Sequence, residues 1–382
     1  MAKTNKPASS GVTAEIRVRR CYACGAILQD QKPNETGYIS TEKFNSDEEL
    51  LCERCYKLRH VSGSPNNKSF NIDYIQILSD AKNTSSLVVY VLNAFTLAGS
   101  LIDGIGKYLP DNVICVINKK DILSGAFDDE EYKHYVMVEL SKEGIHPKDI
   151  ILASSTDSAD IDKVSKAIEE NRHGRSVYFI GVTQVGKTAL INNLLKNFNN
   201  TTGKPIVTQV YPGTNLDVFM IPLDRENYIY DVPGIYNPSS YISYVEPELV
   251  KYIVPRNPIR LETYPSKAGQ SFVLSNLAKI DFVSGDKTDF TFSKSNDVAV
   301  ERCKMNKSDA IFDSICNDGN IVVKTKKVKS IDDMAHEKVT ITEKGNYRLR
   351  LVGLVNITFV GTNQVLDIYI PHGIKVSVEK QG

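Results

Sequence analysis

The stretch Gly181-Val182-Thr183-Gln184-Val185-Gly186-Lys187-Thr188 constrains this chain more than any other. It fits the phosphate-loop pattern GxxxxGK[ST]. Its setting is also the required one, because the β-like run Val177–Ile180 precedes it and the helix-like stretch Lys187–Asn197 follows. The glycines let successive backbone N–H groups curl around phosphate oxygens, and a helix N-terminus adds partial positive charge. Lys187 is then placed to reach the β- and γ-phosphates, and the Thr188 hydroxyl to ligate Mg²⁺.

The surroundings support this reading. Short apolar runs at Leu87–Leu92, Val113–Ile117, Ile150–Ala153, Val177–Ile180, Val218–Leu223 and Tyr228–Tyr230 alternate with helical periods such as Ile161–Asn171. Strands alternating with helices predict a mostly parallel sheet covered on both faces, an α/β fold. Directly after Tyr228–Tyr230 comes Asp231-Val-Pro-Gly234. A carboxylate there holds Mg²⁺, usually through water, and the glycine lets a backbone N–H approach the γ-phosphate. Between the two motifs, Pro212-Gly213-Thr214 offers a threonine to complete the Mg²⁺ shell.

Base recognition is predicted upstream. Asn118-Lys119-Lys120-Asp121 follows Val113–Ile117 and fits NKxD. Asp121 can accept both N1–H and the exocyclic amine of guanine, a donor pair that adenine lacks, and such a site rejects analogues without those groups. Asn118 supports the loop, the Lys119 stem covers the ring face, and Ser154-Ser155 offer a backbone N–H to the guanine O6. GTP or GDP with Mg²⁺ is the expected ligand. In ordinary Ras-like GTPases the phosphate loop comes first and NKxD later. Here the order is reversed, which predicts a circularly permuted Ras-like P-loop GTPase domain whose first strand is Leu87–Leu92. Permutation is physically permitted because domain termini lie at the surface and often close together.

Cys21-x-x-Cys24 and Cys52-x-x-Cys55 are two knuckles suited to tetrahedral zinc. Zinc can replace the core that so short a segment cannot build. Cys115, in a strand, reads as core, and Cys303 and Cys316 receive no role. After Pro255 the alternation at Phe272–Phe282, Arg348–Phe359 and Val365–Ile370 reads as strands of a β-rich unit. The expected division is a tail over 1–16, a zinc module over 17–65, a permuted GTPase domain over 66–254 and a β-rich domain over 255–382. Lys and Arg total 46 against 46 Asp and Glu, but this neutral sum hides two slightly basic ends around an acidic centre. Two local basic clusters suit phosphate contacts: Arg17, Arg19 and Arg20, and Lys324, Lys326, Lys327 and Lys329. With 41% hydrophobic residues the chain is no disordered polymer. Leu87–Leu92 falls far short of the roughly 20 residues of a membrane helix, so no membrane association is expected. Seven cysteines, four of them in CxxC pairs, point to a reducing compartment and a cytoplasmic address.

Taken together, the two CxxC pairs, NKxD, GxxxxGKT, PGT, DxPG and a β-rich tail resemble the YqeH family of bacterial ribosome-assembly GTPases. The tail phrases Leu277-Ala-Lys-Ile-Asp-Phe282 and Ile370-Pro-His-Gly-Ile374 are similar to that family too. The resemblance implies a slowly hydrolysing GTP switch in biogenesis of the small (30S) ribosomal subunit that binds rRNA, and a monomer is expected. Gln184 stands where many relatives carry an asparagine associated with bound potassium, so potassium is left unassigned. Ile235 replaces the glutamine that orients the attacking water in Ras-like enzymes. Two other readings stay open: a GTP-binding module with negligible turnover, and a signalling or tRNA-directed GTPase without a ribosomal role.

Overall fold

The computed structural model describes residues 19, 27–33, 35, 37–44, 52–53, 70–123, 128–196 and 207–381. The tail over 1–16, Arg17, Arg20, Cys21, Cys24 and Cys55 lie outside the described residues.

A seven-stranded sheet organises the first large unit. It comprises β1 (Leu87–Asn93), β2 (Val113–Asn118), β3 (Ile150–Leu152), β4 (Val177–Ile180), β5 (Val207–Val210), β6 (Asp217–Pro222) and β7 (Tyr228–Asp231), in the order β3-β2-β1-β4-β7-β6-β5. The first five neighbours in that order pair in parallel, while β7–β6 and β6–β5 are antiparallel. Every residue of β1, β2 and β4 is buried, as expected of central strands covered on both faces. The coverage comes from α1 (Ile72–Asn83), α2 (Asp129–Lys142), α3 (Ser158–Arg172) and α4 (Lys187–Lys196). Side chains of Asn71, Asp128 and Asp157 cap the first three of these helices. Helix α1 and edge strand β5 carry no motif and are additions to the sequence reading.

The permutation is visible in this topology. The strand that opens the chain's sheet, β1, lies between the phosphate-loop strand β4 and the NKxD strand β2. Nothing about the sheet requires β4 to come first in the chain.

The second unit is built from two five-stranded antiparallel sheets. One has the order β12-β9-β10-β16-β13 and the other β17-β14-β15-β11-β8. The strands are β8 (Glu262–Ser266), β9 (Gln270–Leu274), β10 (Ala278–Ser284), β11 (Thr288–Lys294), β12 (Val300–Lys304), β13 (Met334–Thr340), β14 (Gly345–Leu351), β15 (Val355–Gly361), β16 (Val365–Pro371) and β17 (Val376–Gln381). Phe272 and Phe292, and Phe290 and Phe359, meet with ring centroids 5.0 Å apart in the core. Two of the runs expected as strands are hairpins. Phe272–Phe282 turns at Ser275, which adopts φ 50°, and Arg348–Phe359 turns at Gly353, with φ 89°. A helix the alternation did not announce, α6 (Met305–Asn317), follows α5 (Pro247–Ile253) in the chain and packs on β9 and β10.

The second core begins earlier than the expected boundary at 254. Tyr241, Ile242, Val245, Leu249, Val250, Ile253 and Val254 all pack with the β-rich core, whereas Ile235 still belongs to the first core. The Tyr241 hydroxyl donates to Leu277 O at 2.6 Å. The chain therefore changes cores within the short connection 236–240. A second junction joins the units elsewhere: Phe95, Ile122 and Ile259 cluster, and Ile259 N–H donates to Ile122 O at 3.0 Å.

Candidate nucleotide site

Four loops converge at the C-terminal ends of β2, β3, β4 and β7, where an open α/β sheet binds its ligands. After β4 the backbone takes positive φ at Gly181 (158°), Gln184 (71°) and Gly186 (87°). A Cβ at Gly186 would approach Asn118 Nδ2 to 2.3 Å, so glycine is obligatory there. Gln184 is the departure, since a non-glycine residue in left-handed conformation costs energy. Its amide nitrogen is buried without a hydrogen-bond partner among the described residues.

Asn118 is the hub of the base side. Fully buried, it donates from Nδ2 to Val185 O at 2.9 Å and accepts the Ser155 N–H on Oδ1 at 3.0 Å. One side chain thus ties the NKxD loop to the phosphate loop and to the Ser154-Ser155 loop. The Ser155 N–H, expected to meet guanine, is engaged by Asn118, and the Ser154 N–H donates to Asp160 Oδ2 at 3.0 Å. Asn193 of α4 adds a bond to Ser155 O at 2.8 Å. Burial alone would raise the Asp160 carboxyl, but the Lys163 ammonium and the Ser154 N–H outweigh it and hold it below its ordinary value. Lys119 adopts left-handed φ 65°, and Asp121 is exposed beside it.

On the phosphate side, Lys187 and Asp231 form a buried ion pair, each 5% exposed. Thr188 Oγ1 lies 3.5 Å from Asp231 Oδ2. The structure thus brings Lys187, Thr188 and Asp231 together. An ammonium, a hydroxyl and a carboxylate gathered at glycine-bearing backbone form a donor set that fits a nucleotide phosphate with Mg²⁺. Thr214 is held differently: its hydroxyl donates to Tyr211 O at 2.9 Å within its own turn and accepts Leu216 N–H at 3.2 Å. Tyr211 in turn joins Tyr178 (hydroxyls 3.1 Å apart) and Tyr230. Burial pushes its hydroxyl up to about 12, against the Tyr178 hydroxyl bonded to it.

The DxPG loop is laced to the phosphate loop. Ile235 N–H donates to Gly181 O and Thr183 N–H to Ile235 O, both at 2.9 Å. Ile235 is 2% exposed, so its side chain belongs to the core and offers no group to a water molecule. Gly234 lies so close to Thr183 that a Cβ would meet its Cα at 3.1 Å. The sequence reading missed Tyr74 of α1, whose hydroxyl donates to Pro233 O at 3.2 Å and Gly234 O at 3.4 Å. No local signal could have found it, because its partners lie 159 and 160 residues further along.

Two expectations outside this site meet a more limited outcome. Of the expected zinc ligands only Cys52 is described, and it is buried. Among the described residues no cluster of His, Cys, Asp and Glu could hold a metal ion. In the lysine run, Lys324 donates to Cys316 O at 3.1 Å and to Asp318 O, beside the C-terminus of α6, and Lys327 donates to Tyr244 O. Those two of the four ammonium groups are committed to carbonyls. Cys115 is buried in β2, and burial pushes its thiol well up, as befits core. Among the described residues no helix is long and apolar enough to cross a membrane.

Comparison with known proteins gives independent findings. Residues 176–262 match the family model described as 50S ribosome-binding GTPase, and residues 287–381 match the model YqeH-like, C-terminal. YqeH of Bacillus subtilis is 28% identical over 361 residues, covering 94% of this chain and 98% of that protein. NO-associated protein 1, chloroplastic/mitochondrial, of Arabidopsis thaliana is 25% identical over 320 residues, 73% of this chain and 57% of its own length. The small ribosomal subunit biogenesis GTPase RsgA of Alkaliphilus metalliredigens is 29% identical over 154 residues, 39% of this chain and 46% of its own. With its NKxD strand ahead of the phosphate loop and a match to the YqeH-like, C-terminal model behind it, the chain is a P-loop GTPase in permuted order that is similar to YqeH of Bacillus subtilis over nearly its whole length.

Proposed function

We propose that this GTPase is a switch in biogenesis of the small ribosomal subunit, binding rRNA or pre-ribosomal particles in the cytoplasm as a monomer. The observation that carries the reading is the short connection 236–240, through which the DxPG loop runs straight into the β-rich core at Tyr241. A change at Gly234 then has a covalent path to the second domain, as a switch acting on a large particle needs. The relation to RsgA, whose name states small-subunit biogenesis, supports the choice of subunit. The model description 50S ribosome-binding GTPase favours a second reading, a role on the large subunit. Sedimentation with ribosomal subunits in GDP, GTP and a non-hydrolysable analogue decides. Nucleotide-dependent migration with small-subunit particles supports the proposal, and migration with large-subunit particles replaces it.

In this reading Asp121 accepts the guanine N1–H and amine, Asn118 and Lys119 shape the base pocket, and the loop at Ser154 and Ser155 closes it. Residues 181–188 wrap the phosphates, with Lys187 on the β- and γ-phosphates and the Gly234 N–H on the γ-phosphate. Mg²⁺, held by Thr188, Thr214 and Asp231, supplies charge neutralisation at the phosphate oxygens. Lys187 must exchange its bond to Asp231 for phosphate oxygens, and Thr214 must leave Tyr211 O. Preorganised N–H donors and the ammonium then stabilise the charge that develops as water attacks. With Ile235 in the core, no side chain at that position orients the water, so intrinsic turnover is slow. Cys21, Cys24, Cys52 and Cys55 bind one zinc in a module over 17–65. Metal analysis of the purified chain tests this, with about one zinc per chain expected.

A further inference from the structure

Tyr74 comes from α1, which no nucleotide motif includes, yet it reaches the loop that ends in Gly234. It is 7% exposed, and its ring lies 6.2 Å from that of Phe70. Its hydroxyl bond to Pro233 O matters because that carbonyl belongs to the same peptide unit as the Gly234 N–H. The described chain contains no cis peptide bond, and in a planar trans unit the C=O and N–H point in opposite directions. Holding the oxygen therefore sets where the N–H points. A hydrogen bond to the carbonyl also polarises the amide and strengthens its donor end. The Gly234 N–H itself donates to no acceptor among the described residues. On its far side Gly234 abuts Thr183 of the phosphate loop. The same helix also reaches the Thr214 turn: a Cβ on Gly213 would lie 3.8 Å from Gln76, and the charge of Asp80 on this helix adds to the rise of the Tyr211 hydroxyl.

We propose that Tyr74 is a positioning residue for GTP hydrolysis: by holding the Pro233 carbonyl, its hydroxyl aims the Gly234 N–H at the γ-phosphate. This rests on the reading of Gly234 as the γ-phosphate contact. GDP lacks that phosphate, so the hydroxyl contributes to GTP and not to GDP. The hydroxyl therefore discriminates between the two nucleotides.

The test uses the full chain with Tyr74→Phe, Tyr74→Leu and Gly234→Ala. It measures kcat and KM for GTP and the affinities for GDP and a non-hydrolysable GTP analogue. Tyr74→Phe keeps the ring and is expected to lower analogue affinity and kcat by about tenfold, the worth of one hydrogen bond, with GDP affinity unchanged. Tyr74→Leu is expected to show the same selectivity. Equal loss of GDP and analogue affinity in Tyr74→Phe overturns the proposal, because a packing defect does not discriminate. A silent Tyr74→Phe overturns it too, whether or not Tyr74→Leu is defective. If Gly234→Ala selectively loses the analogue while Tyr74→Phe does not, the proposal falls and the reading of Gly234 stands. If neither variant discriminates, both fall.

Discussion

The base side of the nucleotide site is fastened to the core by buried bonds, whereas the phosphate side is held by bonds that a ligand can exchange. Asn118, 0% exposed, joins three loops through Val185 O and the Ser155 N–H. Asp160 fixes the Ser154 N–H from behind. On the other side, Lys187 is paired with Asp231, and the Thr214 hydroxyl is spent on its own turn. The difference suits the switch proposed above. Base recognition must be the same with two or three phosphates, so rigidity there is cheap. Sensing the third phosphate requires two arrangements of similar energy, and ion pairs and turn hydrogen bonds provide them.

The largest effect that would break this contrast is at Lys187. Lys187→Ala is expected to lower kcat/KM for GTP on the order of a thousandfold, the upper range for loss of one transition-state donor. It also leaves the buried Asp231 carboxylate without its ammonium, so unfolding in denaturant should show a stability loss of about 3 kcal/mol. Normal turnover would mean that another cation serves the phosphates. Next comes Asp121→Asn, with GTP affinity falling about a hundredfold and xanthosine nucleotides gaining. Because Asp121 is exposed, its melting temperature should stay at the parent value. A fall in Tm with no change in base preference would make Asp121 a structural residue.

Asn118→Ala sharpens the comparison by attacking the rigid side. It strands the Val185 carbonyl and the Ser155 N–H, and should cost about 2 kcal/mol in denaturant unfolding. GDP and GTP affinities should fall by the same factor, since the defect lies away from the third phosphate. A GTP-selective loss would show that the two sides are not separate. The smallest effect is the pH dependence of Asp160. Its carboxyl is held below the ordinary value, so its contribution is present above the unfolded pKa. That contribution is lost as the pH falls through the lower, folded value. Asp160→Asn should therefore lower stability by less than about 1 kcal/mol at pH 7, and the gap from the parent should close in strong acid. A gap that persists there would assign the loss to packing.

Much of the parallel sheet was legible because its strands are continuous apolar runs. Leu87–Asn93 and Val113–Asn118 are each buried along their whole length, and their two ends carry Asn93 and Asn118 side by side. The β-rich unit was legible only in kind. Its hairpins at Ser275 and Gly353 and its helix α6 depend on turns whose residues do not stand out in the spelling. Asn276, for example, holds its loop through Thr325 and Val328, about 50 residues away. Two ammonium groups of the lysine run, those of Lys324 and Lys327, were not legible for a related reason. Charge is local in sequence, but what an ammonium bonds to is not.

What the amino-acid sequence determined by itself is the set of motifs carried by neighbours in the chain, the phosphate loop, NKxD and DxPG, and the order that makes the domain a permutation. These need only residue types at fixed spacing, with a strand before and a helix after. Tertiary structure alone decided that Asn118 joins three loops, that Ile235 is core, that the second core begins at Tyr241, and that Tyr74 grips Pro233. Each depends on where a side chain or carbonyl points once distant segments have packed. The orientation of a peptide plane is set by such partners and is not written in its own residues.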